Sequence, residues 1–338
     1  MNLAKRVIKF TYRKIKKILR INKVYNTSGV QQISSYKDGI YYLYAACEAP
    51  PPNTIPPEHF DQFTMSGKIP VLYIYFDERK NIKYNPYEKW QDTRNAAIHN
   101  TSKTYSDMFI RLKEKKAIYY GNEINAFYDA LEKYPLEGKE VLIWGLAGCN
   151  CDAIALYYNA KKVYVVDYNK PICDHERIEV LSLDEVKTLN IKTDIAFSYS
   201  SFEHDGLGRY GDPIDPDGDF KAMQEAWDRL KEDGLLFLGV PLGKDCIYWN
   251  ANRVYGSIRL PLLLKGFHVI DVYNIHNSVH PGEEYPFDIP LGGHIQCIMI
   301  CKKISSDYPE NSISTQKENT GNTHDTLIFK NINKIVRK

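Results

Sequence analysis

No run of about 18 consecutive apolar residues occurs in this 338-residue chain, so no segment is long enough to cross a bilayer as a helix. The first residues lack the continuous apolar block of a secretory signal. Cys-x-x-Cys is absent, and the seven cysteines (Cys47, Cys149, Cys151, Cys173, Cys246, Cys297 and Cys301) are scattered and odd in number. Neither a zinc site nor a disulfide framework is indicated, and no metal is expected. Cys149 and Cys151 read as small packing residues at a helix start rather than as a metal or redox pair. A reduced, cytoplasmic compartment fits this cysteine usage.

Acidic residues are missing from the first 37 positions. Nine basic residues crowd into positions 1–23, leaving 35 basic and 42 acidic residues, a balance of −7, for the rest. The body is therefore mildly acidic, which argues against a nucleic-acid groove. Positions 3–21 have helical periodicity, with Leu3, Val7, Phe10, Ile18 and Ile21 on one side and eight of the nine basic residues on the opposite arc. Such a segment either lies in the plane of an anionic membrane surface or docks on the body with a solvated basic face.

The chain is expected to divide into a basic amphipathic helix (1–24), a helical, Tyr-rich N-terminal extension (25–135), an α/β domain (136–303) and a polar tail (304–338). Within the extension, residues 49–57 hold five prolines and read as an extended connector. Helical patterns occur near 90–115 and 121–133. Tyr84, Tyr87, Tyr105, Tyr119, Tyr120 and Tyr128 are expected mainly as half-buried packing residues with wet hydroxyls.

From 140 onward, strand-like and helix-like segments alternate. Strands are predicted at 140–145, 162–167, 178–181, 194–199, 235–240, 267–272 and 295–301, and helices at 149–160, 184–189, 220–231 and 257–264. This alternation predicts a doubly wound, mostly parallel, seven-strand Rossmann-like sheet. No helical pattern separates the last two strands, which predicts a terminal antiparallel strand.

Open α/β sheets place ligands beyond the C-terminal ends of their strands. Gly145, Ala147 and Gly148 follow the first strand and open the first helix, and Asp167 ends the second strand. Glycine lets backbone approach a ligand, and an acid there can accept from both ribose hydroxyls of an adenosine cofactor. Two cofactors share that geometry. For NAD, Cys151 stands where a third glycine would allow close helix packing. For S-adenosylmethionine, the acid before the first glycine is replaced by Ile143, while the strand order with a short third strand and an antiparallel end favours it.

The densest run of ionisable residues, from Ser200 to Pro213, follows the fourth strand. Methylating a hydroxyl is helped by a positioned base. His204 has the unperturbed range for this role, with Glu203 or Asp205 to orient it, and Arg209 could clamp a phosphate or carboxylate. Ser200 would border the cofactor. Asp212, Asp245, Asn252 and Arg253 are candidates for substrate contacts, with His294 nearby. Asp212, Asp215, Asp217 and Asp219 fit a calcium loop badly; a turn with Asp219 capping the next helix fits better.

The run Ser-Ser-Phe-Glu-His-Asp-Gly-Leu-Gly-Arg-Tyr-Gly-Asp-Pro at 200–213 is followed by Gly218-Asp219, then by Gly239-Val240-Pro241-x-Gly243-x-Asp245. Asn252-Arg253-Val254-Tyr255-Gly256-x-x-Arg259-Leu260-Pro261 comes last. Together these resemble the family catalogued as domain of unknown function 268, over roughly residues 100–275. That family looks related to class I S-adenosylmethionine-dependent methyltransferases, and its bacterial members tend to occur among genes for surface polysaccharides. The resemblance implies a methyltransferase-like fold, S-adenosylmethionine as cofactor and a sugar or glycan-precursor hydroxyl as acceptor. It also departs from the family: Cys149-Asn150-Cys151-Asp152 stands where a Gly-Ser-rich segment with Pro-Trp and a following acid is usual. A non-catalytic ligand-binding scaffold on the same fold and a nucleotide-sugar oxidoreductase are the rival readings.

Overall fold

The computed structural model describes residues 51–74, 99–116, 125–146, 150–167, 171–210, 212–273 and 290–304. The basic segment 1–24, most of the polar tail, and Ala147, Gly148 and Cys149 lie outside them. So do Tyr84, Tyr87, Tyr119 and Tyr120.

Seven strands build the main sheet: β1 (Glu140–Trp144), β2 (Lys162–Val166), β3 (Ile178–Leu181), β4 (Thr193–Tyr199), β5 (Leu230–Gly239), β6 (Phe267–Tyr273) and β7 (Ile298–Lys303). Their spatial order is 3-2-1-4-5-7-6. β1 pairs in parallel with β2 and β4, β2 with β3, and β4 with β5. β7 is antiparallel to both neighbours, inserted between β5 and β6. The order reverses at β1 and β4, so the crevice for a ligand opens beyond their C-terminal ends.

Helices cover both faces: α1 (Ser102–Lys113), α2 (Asn125–Lys133), α3 (Cys151–Tyr157), α4 (Leu183–Leu189), α5 (Gly218–Arg229) and the short α6 (Leu260–Leu263). Strand periodicity divides the core. Val141, Ile143, Ile195 and Phe197 join Phe127, Ile154 and Phe237 on one face. Leu142, Trp144 and Ala196 join Phe220, Met223, Trp227 and Leu263 on the other. A strand buried on both sides must be apolar throughout, as β1 and β4 nearly are.

Boundaries shift for local reasons. α5 stops at Arg229 because Leu230 turns extended and pairs with Thr193. β5 then carries an irregularity at Asp233 (φ +60°) before Leu235 meets Ile195. The expected last strand divides in two: residues His294–Gln296 pair with Pro241–Gly243, and only β7 enters the main sheet. Asp219 does not cap α5. Asp217 occupies the cap position, and Asp219 turns inward from the first turn. Tyr105 and Tyr128 are packing residues, each 2% exposed, and Tyr128 donates to the Lys116 carbonyl at 2.8 Å.

The proline-rich segment is more than a connector. Pro51 is buried, the Trp249 indole donates to the Pro52 carbonyl at 3.0 Å, and Ile55 joins Phe63, Ile69, Leu207, Ile247 and Trp249 in a third core. Residues Val71–Tyr73 add a parallel strand to Cys246–Trp249. This small unit packs on the loop that follows β4.

Candidate active site

Beyond β1, the chain turns at Gly145 with φ +71°, and a Cβ there would sit 2.4 Å from the Ser201 hydroxyl oxygen. Glycine is required by both the positive φ and the close approach of the β4 loop. The next residue, Leu146, donates its backbone N–H to Asp167 Oδ2 at 3.0 Å. The acid beyond β2 thus grips the loop beyond β1. Ser200 follows β4 with φ +54° and donates its N–H to the Gly239 carbonyl at 2.8 Å. Gly145, Asp167 and Ser200 therefore lie together beyond the ends of β1, β2 and β4; Ala147 and Gly148 lie outside the described residues.

Past Ser200 the loop winds into a short turn of 3₁₀ helix, Phe202–His204. Glu203 is 1% exposed, and its Oε2 has no hydrogen-bond partner. Burial pushes its carboxyl up to about 7, despite opposing hydrogen bonds from its own backbone and the Ser200 hydroxyl and the charge of Arg209. His204 Nε2 lies 3.8 Å from Glu203 Oε1. His204 Nδ1 lies 2.6 Å from the Ala251 carbonyl, so that nitrogen carries the proton. Burial, Arg209 and Arg253 depress the imidazole to about 3. It stays neutral across the ordinary range and is a poor proton acceptor.

Arg209 Nη1 reaches the same Ala251 carbonyl at 3.5 Å, and its guanidinium lies 4.9 Å from the Tyr210 ring centroid. The Tyr210 ring meets the His204 imidazole edge-on at 5.3 Å. Neither acid beside His204 orients it through Nδ1, because a backbone carbonyl holds that nitrogen. Asp205 lies instead in the field of Asp212 and Arg253, with burial and Asp212 holding its carboxyl well above the usual range.

The acids and the arginine expected at substrate are engaged inside the fold. Asp212 accepts from the N–H groups of Gly206, Gly208 and Tyr210 at 2.7, 3.0 and 3.1 Å, closing the loop on itself. Asp245 accepts from Gly256, Ile258 and Arg259 at 2.8–2.9 Å and so fixes the entry to α6. Arg253 is fully buried and donates to the carbonyls of Asp205 (2.6 Å), Asp215 (3.3 Å), Glu203 and Pro216 (3.4 Å each). Asn252 donates to the carbonyl of Arg253 at 3.2 Å. Asp212 and Arg253 thus hold the loop after β4, Asp245 holds the entry to α6, and Asn252 bonds to its neighbour's carbonyl.

Sequence reasoning missed two centres. Asp219 receives a bidentate pair from Arg259 at 2.6 and 2.8 Å and the Tyr255 hydroxyl at 2.9 Å, all buried. Asp152, in the first turn of α3, accepts from Asn100 and the Tyr105 hydroxyl at 2.7 Å each. Acids in first turns look alike in a sequence, since the helix dipole favours them whatever they bond.

Residues 139–283 match the family described as Caenorhabditis protein of unknown function, DUF268. No curated protein matches the chain. Among solved structures it is similar to the 1,6-didemethyltoxoflavin-N1-methyltransferase of Burkholderia thailandensis, solved with 1,6-didemethyltoxoflavin and S-adenosylhomocysteine. The identity is 17%, the TM-score 0.41, and 60% of this chain and 87% of that one are covered. A candidate S-adenosylmethionine-dependent methyltransferase from Listeria monocytogenes shares 13% identity at a TM-score of 0.36, over 54% and 99% of the two chains. A candidate hemolysin from Streptococcus thermophilus shares 15% at 0.35, over 66% and 77%. Likenesses this loose carry neither a ligand nor a reaction across.

Proposed function

We propose that this chain is an S-adenosylmethionine-dependent methyltransferase acting on a hydroxyl of a sugar or glycan precursor. The observation that carries the reading is the grip of Asp167 on Leu146 beside Gly145, at the switch point of a 3-2-1-4-5-7-6 sheet. A carboxylate offers about four lone-pair sites, so a ribose hydroxyl could be accepted by Asp167 alongside its bonds within the fold.

Asp167 and the backbone at Gly145 and Leu146 would hold the cofactor, which when bound supplies an electrophilic methyl group on a sulfonium. Transfer of that methyl group to an acceptor hydroxyl would release its proton, which a residue of this chain would have to take. Glu203 has the proton affinity to take it, once movement of the loop brings its buried carboxyl to the acceptor. Its carboxyl sits near neutrality, where a base both exists deprotonated and retains proton affinity. His204 acts as a fixed neighbour, its ring held by Ala251 and Tyr210. Arg209 is only half-buried, whereas Arg253 and Arg259 are sealed, so it is the arginine of this loop suited to a phosphate on the acceptor.

The acceptor class follows from the family resemblance, which also suggests a role in surface polysaccharide assembly, and the scattered cysteines suit a reduced, cytoplasmic compartment. The acid-free, basic segment 1–23 suits work against the inner membrane face. The binding-only reading keeps one observation in its favour: a depressed, engaged His204.

Calorimetry with S-adenosylmethionine tests the proposal. Saturable binding is expected, with at least about tenfold weaker affinity in Asp167→Ala. No heat and no thermal shift at millimolar cofactor would sink it. Preferential binding of NAD would promote the oxidoreductase instead.

A further inference from the structure

Beneath the loop after β4, two guanidinium groups share one carboxylate. Arg253 comes from the strand Asn252–Val254, Arg259 stands at the entry to α6, and Asp219 sits in the first turn of α5. All three are sealed from solvent. Asp219 takes the Arg259 fork at 2.6 and 2.8 Å and the Tyr255 hydroxyl at 2.9 Å, and it lies 3.8 Å from Arg253 Nε. One carboxylate and one guanidinium would be enough to tie α5 to α6. The second guanidinium adds a positive charge that Asp219 alone does not balance, in an interior where charge is weakly screened.

The spare charge faces the turn that carries Glu203. Arg253 Nη1 donates to the Asp205 carbonyl at 2.6 Å and to the Glu203 carbonyl at 3.4 Å, at the end of the 3₁₀ turn Phe202–His204. Asp205 lies in the fields of both Arg253 and Asp219, and the Tyr255 hydroxyl lies in that of Glu203. Tyr255 in turn pairs its main chain with Pro241 and Gly243, just past β5, at 2.9 and 3.0 Å. The cluster therefore links the stretches that follow β4 and β5.

We propose that Asp219, Arg253 and Arg259 position the base: Asp219 fixes Arg253, Arg253 fixes the turn bearing Glu203, and the balance of the three charges sets the field in which that carboxyl takes up its proton. They are positioning residues, since none would touch the reacting atoms. The proposal rests on the reading of Glu203 as base. The other groups facing Glu203 are His204, with Nε2 3.8 Å from Oε1, Arg209, and Asp205, itself in the field of Asp212. All of these stay in place in the variants that test it.

Carbon-13 NMR of the full chain carrying carboxyl-labelled glutamate reads the Glu203 titration, with its signal assigned by loss in Glu203→Gln. The wild-type midpoint is expected at about 7. Arg259→Met removes the surplus positive charge, so the midpoint should rise by at least about half a pH unit. Asp219→Asn removes the balancing negative charge, so the midpoint should fall by at least about as much, with the Gly206 and Gly208 amides still protected from hydrogen exchange. The rise is diagnostic, because loosening the fold exposes Glu203 and can only lower its midpoint toward 4.5. An unmoved midpoint in either folded variant, or a fall in both, overturns the proposal, as does a fall in Asp219→Asn with that protection lost. If one variant fails to fold, the other decides by the same criteria. Failure of the base reading shows separately, as equal turnover in Glu203→Gln and wild type; the shifts would then stand without a catalytic role.

Discussion

Glu203 and His204 are neighbours in the chain and opposites in chemistry. The same burial that raises the carboxyl to about 7 lowers the imidazole to about 3, because it disfavours the charged form of each. The sign for stability follows. Glu203 holds protons more tightly folded than unfolded, so its contribution is fully present below about 4.5 and is lost as pH rises through about 7. Denaturant unfolding of Glu203→Gln across this window should show the variant gaining on wild type as pH rises, by at most on the order of 3 kcal/mol. Parallel curves would exclude the raised carboxyl. His204 has the reverse slope: its neutral burial contributes above about 6.5 and is lost as pH falls toward about 3. If Glu203 is the base, turnover should rise with pH through about 7 and drop by roughly two to four orders of magnitude in Glu203→Gln, with cofactor affinity retained.

At the scale of elements, the loop after β4 is a built object. Asp212 closes its 206–212 turn with three backbone N–H bonds. Arg253, reaching from the strand Asn252–Val254, ties four of its carbonyls together. Asp219 then neutralises Arg259 at 2.6 Å and lies 3.8 Å from Arg253 Nε. Removing one member of such a buried cluster strands the others. Arg253→Ala should cost about 3–5 kcal/mol in denaturant unfolding. Asp212→Ala frees three N–H groups locally and should show first as cleavage within 206–212 under limited proteolysis, with little change in global stability. If Arg253→Ala unfolds like wild type, the loop is not held as described.

The whole molecule brings three distant loops together where the sheet order reverses. β1, β2 and β4 run in parallel and end at the same edge of the sheet, so Gly145, Asp167 and Ser200, far apart in the chain, come together there. The unit formed by residues 51–74 and the strand Cys246–Trp249 presses on the loop from outside through Phe63, Leu207 and Trp249. Among the described residues, no helix is long and apolar enough to cross a membrane. The charge pattern of residues 1–23 suits contact with an anionic membrane surface. The full chain should co-sediment with vesicles containing anionic lipid and not with neutral ones, lose this on deletion of residues 1–24, and release as salt shortens the Debye length below about 10 Å. Retention of binding after the deletion would place the lipid contact elsewhere.

Period and punctuation were enough for the α/β class, the count of seven strands and the antiparallel last strand, because each strand must be apolar over its buried length and each helix over one face. They also placed Gly145, Asp167 and the Ser200–Pro213 loop just beyond β1, β2 and β4, which is where the structure has them. The insertion of β7 between β5 and β6 lay beyond them: strand order is a matter of which edges meet, and local pattern does not encode it. Nor does composition say whether an acid faces a ligand or a backbone. Asp212, Asp245 and Arg253 look like binding residues as letters, yet their partners are main-chain groups that the fold alone brings within 3.5 Å. His204 is held neutral and the Glu203 carboxyl is raised for the same reason, because proton affinity is set by burial and neighbours, which exist only once the chain has closed around them.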